Sequence, residues 1–226
     1  MTGKRTPGER GIRSYVLRQG RTTPSQQRAL DDLFPRFGIS FSDSFLDTRK
    51  IFERTAPVVL EIGSGMGETT AQISVEHPET DYIAIEVHGP GVGSLLKKIV
   101  ELGPTNLRVI RHDAVEVLER MIPDAALSGI HLFFPDPWPK KRHHKRRLVQ
   151  PPFAARAARK LAPGGYFHAA TDWPDYATQI DAVFSSSSSF EKERQERTGR
   201  PITKFERRGI ALGHPVRDLL FLRRKE

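Results

Sequence analysis

From residue 57 onward the chain alternates short unbroken apolar runs with longer stretches in which apolar residues recur every three or four positions. The runs are Val58–Ile62, Tyr82–Val87, Leu107–Ile110, Ile130–Phe134 and Tyr166–Ala170, the length of strands buried on both faces. Between them Val92, Leu95, Leu96, Ile99 and Val100 share one helical face, as do Val115, Leu118 and Ile122. A third stripe, Phe153, Ala154, Ala157, Ala158 and Leu161, is opened by Pro151 and Pro152, and Pro163-Gly164-Gly165 is expected to close it. Strands alternating with helices predict an α/β fold: a doubly wound, mostly parallel sheet with helices on both faces.

Further along, Ile180, Val183 and Phe184 predict one more helix, with Ser185–Ser189 as a surface loop beyond it. The tail predicts a helix near 203–212 and a closing strand near Val216–Leu222, and no internal repeat is visible. Residues 1–54 are polar and rich in Lys and Arg, and are expected to form a basic, partly flexible N-terminal arm before a domain spanning 55–226. Within the arm, Leu30, Leu33, Phe34 and Phe37 predict a helix, kept brief by Pro35.

The 226 residues hold 36 Lys and Arg against 27 Asp and Glu, a net charge of +9. Such an excess points to a polyanionic partner, most commonly nucleic acid. The complete lack of cysteine excludes disulfide scaffolds, thiol nucleophiles and cysteine-ligated zinc, and no metal is expected. No apolar run approaches the roughly 18 residues of a membrane span, and the basic N-terminus lacks the apolar core of a secretory signal. A cytoplasmic protein with no membrane partner is expected.

Candidate chemistry begins where the first strand runs into Glu61-Ile62-Gly63-Ser64-Gly65-Met66-Gly67. Glycines at such a turn admit a ligand close to the backbone. The dinucleotide pattern would need a glycine where Glu68 stands, and an acidic side chain there repels a pyrophosphate. The turn therefore favours a nucleoside ligand such as S-adenosylmethionine over a dinucleotide, while a tight strand-to-helix turn without ligand stays open. Glu86, ending the second strand, is placed to accept hydrogen bonds from ribose hydroxyls. Asp113, after the third, suits either an adenine amino group or the N-cap of the helix that follows, two compatible roles.

The most specific segment runs from His131 to Arg147. Asp136 stands between Pro135 and Pro137 at the end of the fourth strand, Trp138 follows, and six of the eight residues 140–147 are Lys or Arg. The prolines hold Asp136 at the carboxyl end of the sheet, where open α/β folds bind ligands. Trp138 stacks on a base or packs beneath the loop, and the adjacent cations suit phosphates better than a bare solvated face. Asp172, ending the fifth strand, reads from local pattern as a helix cap. Phe205 and Glu206 read as an ordinary amphipathic pair.

The segments EIGSGMGE, AIEVH, RHDAVEVL, FPDPWPKKRHHKRR, TDWPDYA and TKFERRG together resemble the bacterial tRNA (guanine-N7-)-methyltransferase family, over nearly the whole chain from about Gly11. The resemblance implies a class I methyltransferase fold, with S-adenosylmethionine as methyl donor and N7 of a guanine in the tRNA variable loop as acceptor. It implies that Glu61, Gly63, Gly65, Glu86, Asp113 and Asp136 contact the donor, and that Asp136 is also the catalytic carboxylate. Lys140, Asp172, Thr203, Lys204, Phe205 and Glu206 would contact substrate, and Arg142, His143, His144, Lys145, Arg146 and Arg147 would grip RNA. The partner would be tRNA, bound by a monomer or homodimer with no obligatory protein partner. Two rivals are a nicotinamide oxidoreductase, which would want the missing third glycine, and a non-catalytic RNA-binding protein on the same fold, which would have lost the donor-site carboxylates.

Overall fold

Alternation along each strand divides the core into two layers. The computed structural model describes residues 15, 20–193, 200–202, 206, 207, 210, 213 and 215–225. Strands β1 (Gly38–Ile39), β2 (Val58–Ile62), β3 (Asp81–Ile85), β4 (Leu107–Ile110), β5 (Leu127–Phe133), β6 (Leu161–Thr171), β7 (Phe190–Lys192) and β8 (Arg217–Arg223) form one sheet in the order β1-β4-β3-β2-β5-β6-β8-β7. Pairing is parallel from β1 to β6, while β8 runs antiparallel to β6 and β7. Helices α1 (Pro24–Phe37), α3 (Glu68–Glu76) and α4 (Gly89–Leu102) cover Val59, Tyr82, Ala84 and Val109. On the other face Leu60, Ile83, Ile130 and Phe167 pack against α5 (Ala114–Arg120), α6 (Pro151–Lys160) and α7 (Pro174–Ser185). The short helix α2 (Thr48–Phe52) contributes Phe52 to this second layer. The doubly wound α/β sheet is as expected from the pattern of runs and stripes.

Three local readings change. The helix α1 is 14 residues long and contains Pro35. A capping box between Thr23 and Gln26 starts it, and Gln26 Nε2 ties it to Ser94 Oγ of α4 at 3.0 Å, so packing on α4 outweighs the one backbone hydrogen bond that proline forfeits. Within residues 1–54, therefore, α1, β1 and α2 are built into the domain. Second, α6 ends at Lys160 and the Pro163-Gly164-Gly165 turn lies inside β6. Leu127 pairs with Leu161 but Gly129 with Tyr166, so these residues form an irregularity in the β5–β6 ladder. Third, Val100 is 56% exposed and leaves the α4 stripe to Val92, Leu95, Leu96 and Ile99.

At the far side, Phe167 stacks on Phe184 with ring centroids 4.1 Å apart, and Phe184 also meets Phe190 and Phe221. This aromatic cluster fastens β8 and α7 to β6. The chain reverses direction across the sheet at β2, between β3 and β5, and ligands of such sheets bind at the carboxyl ends of the strands beside that reversal. No helix is long and apolar enough to cross a membrane among the described residues.

Candidate active site

The turn after β2 is held by its neighbour strand. Gly63 and Ser64 donate their N–H groups to the Ile85 carbonyl at 2.8 and 3.2 Å, and Gly65 donates to Glu86 Oε2 at 2.8 Å. The other oxygen of Glu86 accepts from the His88 amide at 2.8 Å. Gly63, Gly65 and Gly67 take φ of 75°, 57° and 77°, which glycine adopts without steric cost. A Cβ at Gly63 or Gly65 would meet no atom within 4 Å, so the backbone there faces open space.

That space is a cleft of about 720 Å³ lined by Glu61, the glycine turn, Phe133, Phe134 and Asp172. A second hollow of about 240 Å³ shares Gly63, Phe133 and Phe134 and adds Glu86, His112 and Asp136. Gly63 and the two phenylalanines are thus a wall common to both. Glu61 is 3% exposed and accepts from the Thr70 hydroxyl at 2.8 Å. Burial pushes its carboxyl up to about 7, against the opposing pull of that hydrogen bond and the Arg200 cation.

Asp136 is exposed in a loop clamped on either side. Phe134, at φ 50°, donates its N–H to Ala170 at 2.7 Å, and Trp138 follows at φ 47°. Bulky residues in this left-handed region cost about 1–3 kcal/mol each and persist only where surroundings enforce them. Beyond Asp136, Arg147 clamps the loop. Its Nε donates to the Pro137 carbonyl at 2.8 Å, its Nη1 to Gln179 at 2.7 Å and its Nη2 to Asp175 at 2.6 Å.

The resemblance puts Arg147 with the RNA-gripping run, but the structure turns it inward. It is 2% exposed and its guanidinium lies over the Tyr176 ring, so it anchors the loop from within. Lys140, Lys141, Arg142, Lys145 and Arg146 are exposed, and 141–146 form a 3₁₀ turn that displays them. His143 and His144 are half-buried, with His144 Nε2 3.7 Å from Asp175. Arg146 covers the Trp138 ring at 4.7 Å and His143 meets its edge, so Trp138 packs against its own basic turn.

The remaining candidates separate. Asp113 Oδ1 accepts from the amides of Val115 and Glu116 at 2.7 and 3.3 Å, so the capping role is realised. Asp172 is exposed on the cleft, and it is Thr171 that bonds the Trp173 amide; the cap reading of Asp172 falls. Thr203, Lys204 and Phe205 lie outside the described residues. Glu206 is 2% exposed and grips Arg200 with both oxygens, at 2.7 and 3.0 Å. Arg200 was missed by sequence reasoning. No group of His, Cys, Asp or Glu suited to holding a metal occurs among the described residues.

Comparison with known proteins bears on this geometry. Residues 55–219 match the family described as "Putative methyltransferase". The tRNA (guanine-N(7)-)-methyltransferase of Chromobacterium violaceum is 54% identical, over 96% of this chain and 97% of its own. The chain belongs to the tRNA (guanine-N(7)-)-methyltransferase family. Another member, from Nitrosomonas europaea, is 55% identical over 94% of this chain and 96% of its own. Among solved structures, the 16S rRNA methyltransferase KamB superposes with a TM-score of 0.60 at 17% identity, covering 80% of this chain and 95% of its own. That likeness extends the methyltransferase fold beyond the family. In this methyltransferase the glycine turn follows the central strand β2, and Glu86 follows its neighbour β3.

The hydrogen bonds of Glu86 make its replacement informative. Glu86→Ala should weaken S-adenosylmethionine binding about tenfold, roughly 1.5 kcal/mol, by removing a charged acceptor and releasing the Gly65 and His88 amides. Calorimetry on the folded variant checks this, with tRNA affinity unchanged. Unaltered donor affinity would place the donor away from the glycine turn.

Proposed function

We propose that the protein transfers the methyl group of S-adenosylmethionine to N7 of guanine in tRNA. The reading is carried by one juxtaposition: the open glycine turn, Glu86 and Asp136 meet around a common wall, and the displayed cations of 140–146 begin four residues beyond Asp136. Family membership supports the substrate.

The residues suit the donor. Gly63 and Gly65 leave room for a ligand against the backbone, Glu61 and Glu86 offer carboxylates, and Phe133 and Phe134 give an apolar wall. When bound, S-adenosylmethionine supplies an electrophilic methyl on a sulfonium. Glu86 would accept from ribose hydroxyls, and Asp113, at the head of α5, would approach the adenine with the oxygen its cap leaves over. Asp136 would accept from the N1–H and N2–H edge of guanine. N7 has an in-plane lone pair and no proton, so no general base is needed. The chain's contribution is to hold the acceptor in line and to favour the positive charge that develops on the purine. Lys140 and Asp172, with Thr203, Lys204 and Phe205, are proposed to hold the rest of the nucleotide.

The exposed cations would grip phosphates. Replacing Arg142, Lys145 and Arg146 by Gln should weaken tRNA binding and flatten its salt dependence, each lost contact removing about 0.7–0.9 from the slope of log affinity against log salt. Filter binding across a salt series measures this, and donor affinity should be spared. An unchanged slope would reduce the turn to a solvated surface. The function itself is tested by incubating the protein with labelled S-adenosylmethionine and unmodified tRNA, then digesting to nucleosides. Label in 7-methylguanosine is expected, and label in any other nucleoside, or none, overturns the proposal.

A further inference from the structure

Arg200 sits behind the wall shared by the two hollows. Its Nη1 and Nη2 donate to the two Glu206 oxygens, and its Nε and Nη2 donate to Asp218 Oδ1 and Oδ2 at 3.1 and 3.2 Å. Asp218 also binds His168 Nε2 at 2.8 Å. Burial would raise the Asp218 carboxyl, but the hydrogen bonds from His168 and Arg200 win and hold it near 2. The guanidinium carbon lies 5.4 Å from the Phe133 ring centroid and 5.3 Å from that of Phe134. Its planar fork is therefore fixed by two carboxylates while it bears on two aromatic rings.

Those rings lead directly into Pro135 and Asp136. Phe134 holds a left-handed backbone, which a phenylalanine keeps only when its ring is restrained. With Arg147 bound to the Pro137 carbonyl, two buried arginines bracket Asp136, one acting just before it and one just after. Among the described contacts, Glu206 meets this site through Arg200.

We propose that Arg200, oriented by Glu206 and Asp218, is a positioning residue for methyl transfer, holding the Phe133–Phe134 wall and with it Asp136 in register with the glycine turn. Glu206 then serves the reaction by orienting Arg200. The inference rests on the proposed role of Asp136.

The test compares single-turnover methylation at saturating donor and tRNA in Arg200→Lys, Glu206→Gln and the double variant. Removing Arg200 to alanine would take a two-point partner from buried Glu206 and another from partly buried Asp218. Lysine keeps the charge but loses the planar fork, and Glu206→Gln keeps an acceptor for Arg200. Arg200→Lys should slow the rate constant about tenfold, with donor affinity within about threefold of wild type. A merely structural defect would lower the reacting fraction and leave the rate constant of folded molecules unchanged. Glu206→Gln should slow it severalfold, and the double variant should be no slower than Arg200→Lys, because one side chain acts through the other.

A wild-type rate constant in Arg200→Lys overturns the inference, as does a double variant whose loss is the product of the two single losses. Asp136→Asn, run alongside, separates the two claims. If it is fast while Arg200→Lys is slow, the catalytic reading of Asp136 fails and the wall-holding role of Arg200 stands. If it is slow while Arg200→Lys is fast, the inference about Arg200 fails alone.

Discussion

Asp136→Asn should slow single-turnover methylation by at least about a hundredfold, equivalent to roughly 2.7 kcal/mol of transition-state stabilisation. Asparagine keeps the size of the side chain and one carbonyl acceptor. It loses the negative charge and presents an amide donor to guanine N–H groups. The exposed position of Asp136 means that the substitution leaves no buried group unpaired, so melting temperature should hold while the rate falls. Rapid-quench measurements at saturating donor and tRNA read the effect, with small changes in either binding constant. At saturation the wild-type rate should be flat in pH near neutrality, because N7 yields no proton. A variant as fast as wild type would remove Asp136 from the chemical step, and a steep base-dependent limb would point to a protonated target atom.

Glu61→Gln should make the ligand-free protein more stable at about pH 8 by about 3 kcal/mol relative to its effect at acid pH. Folding takes this carboxyl from its usual 4.5 to about 7 because burial disfavours the charge. Between those values the folded chain keeps a proton that the unfolded chain has released. Stability therefore declines as pH rises from about 4.5 and levels off above about 7, where both states are ionised and the folded one holds a buried charge. Glutamine retains an acceptor for the Thr70 hydroxyl and has no proton to lose. Urea midpoints for the two proteins across this range should diverge, and parallel profiles would mean that Glu61 is ionised throughout.

What the sequence makes legible follows from whether a signal is local. Val58–Ile62 and Leu107–Ile110 announce themselves because central parallel strands are covered on both faces and read as unbroken apolar runs. Asp136 stands out because its neighbouring prolines are a covalent restraint visible in the chain. Proline and glycine at 163–165 mislead, since the same residues that stop a helix also build a strand irregularity, and only the partner strand decides which. Arg146 and Arg147 are adjacent and chemically identical, yet one covers Trp138 at the surface while the other is buried against Pro137 and Asp175. Arg200 carries no local mark at all. Its meaning comes from Asp218, on a strand 18 positions later, and from rings on β5 and just beyond it.

The position of β8 in the sheet bears on how the protein is made. It lies between β6 and β7, so β7, though translated earlier, has no place in the sheet until β8 arrives. Asp218 of β8 also supplies one of the two carboxylates on Arg200. A ribosome that has not yet delivered residues 217–223 therefore holds a chain with the glycine turn and the basic turn already synthesised but with the open edge of β6 unpaired and the arginine lacking one of its two carboxylates. The full set of contacts on that arginine, and the proposed register of the wall in front of it, should thus appear only once β8 has been delivered.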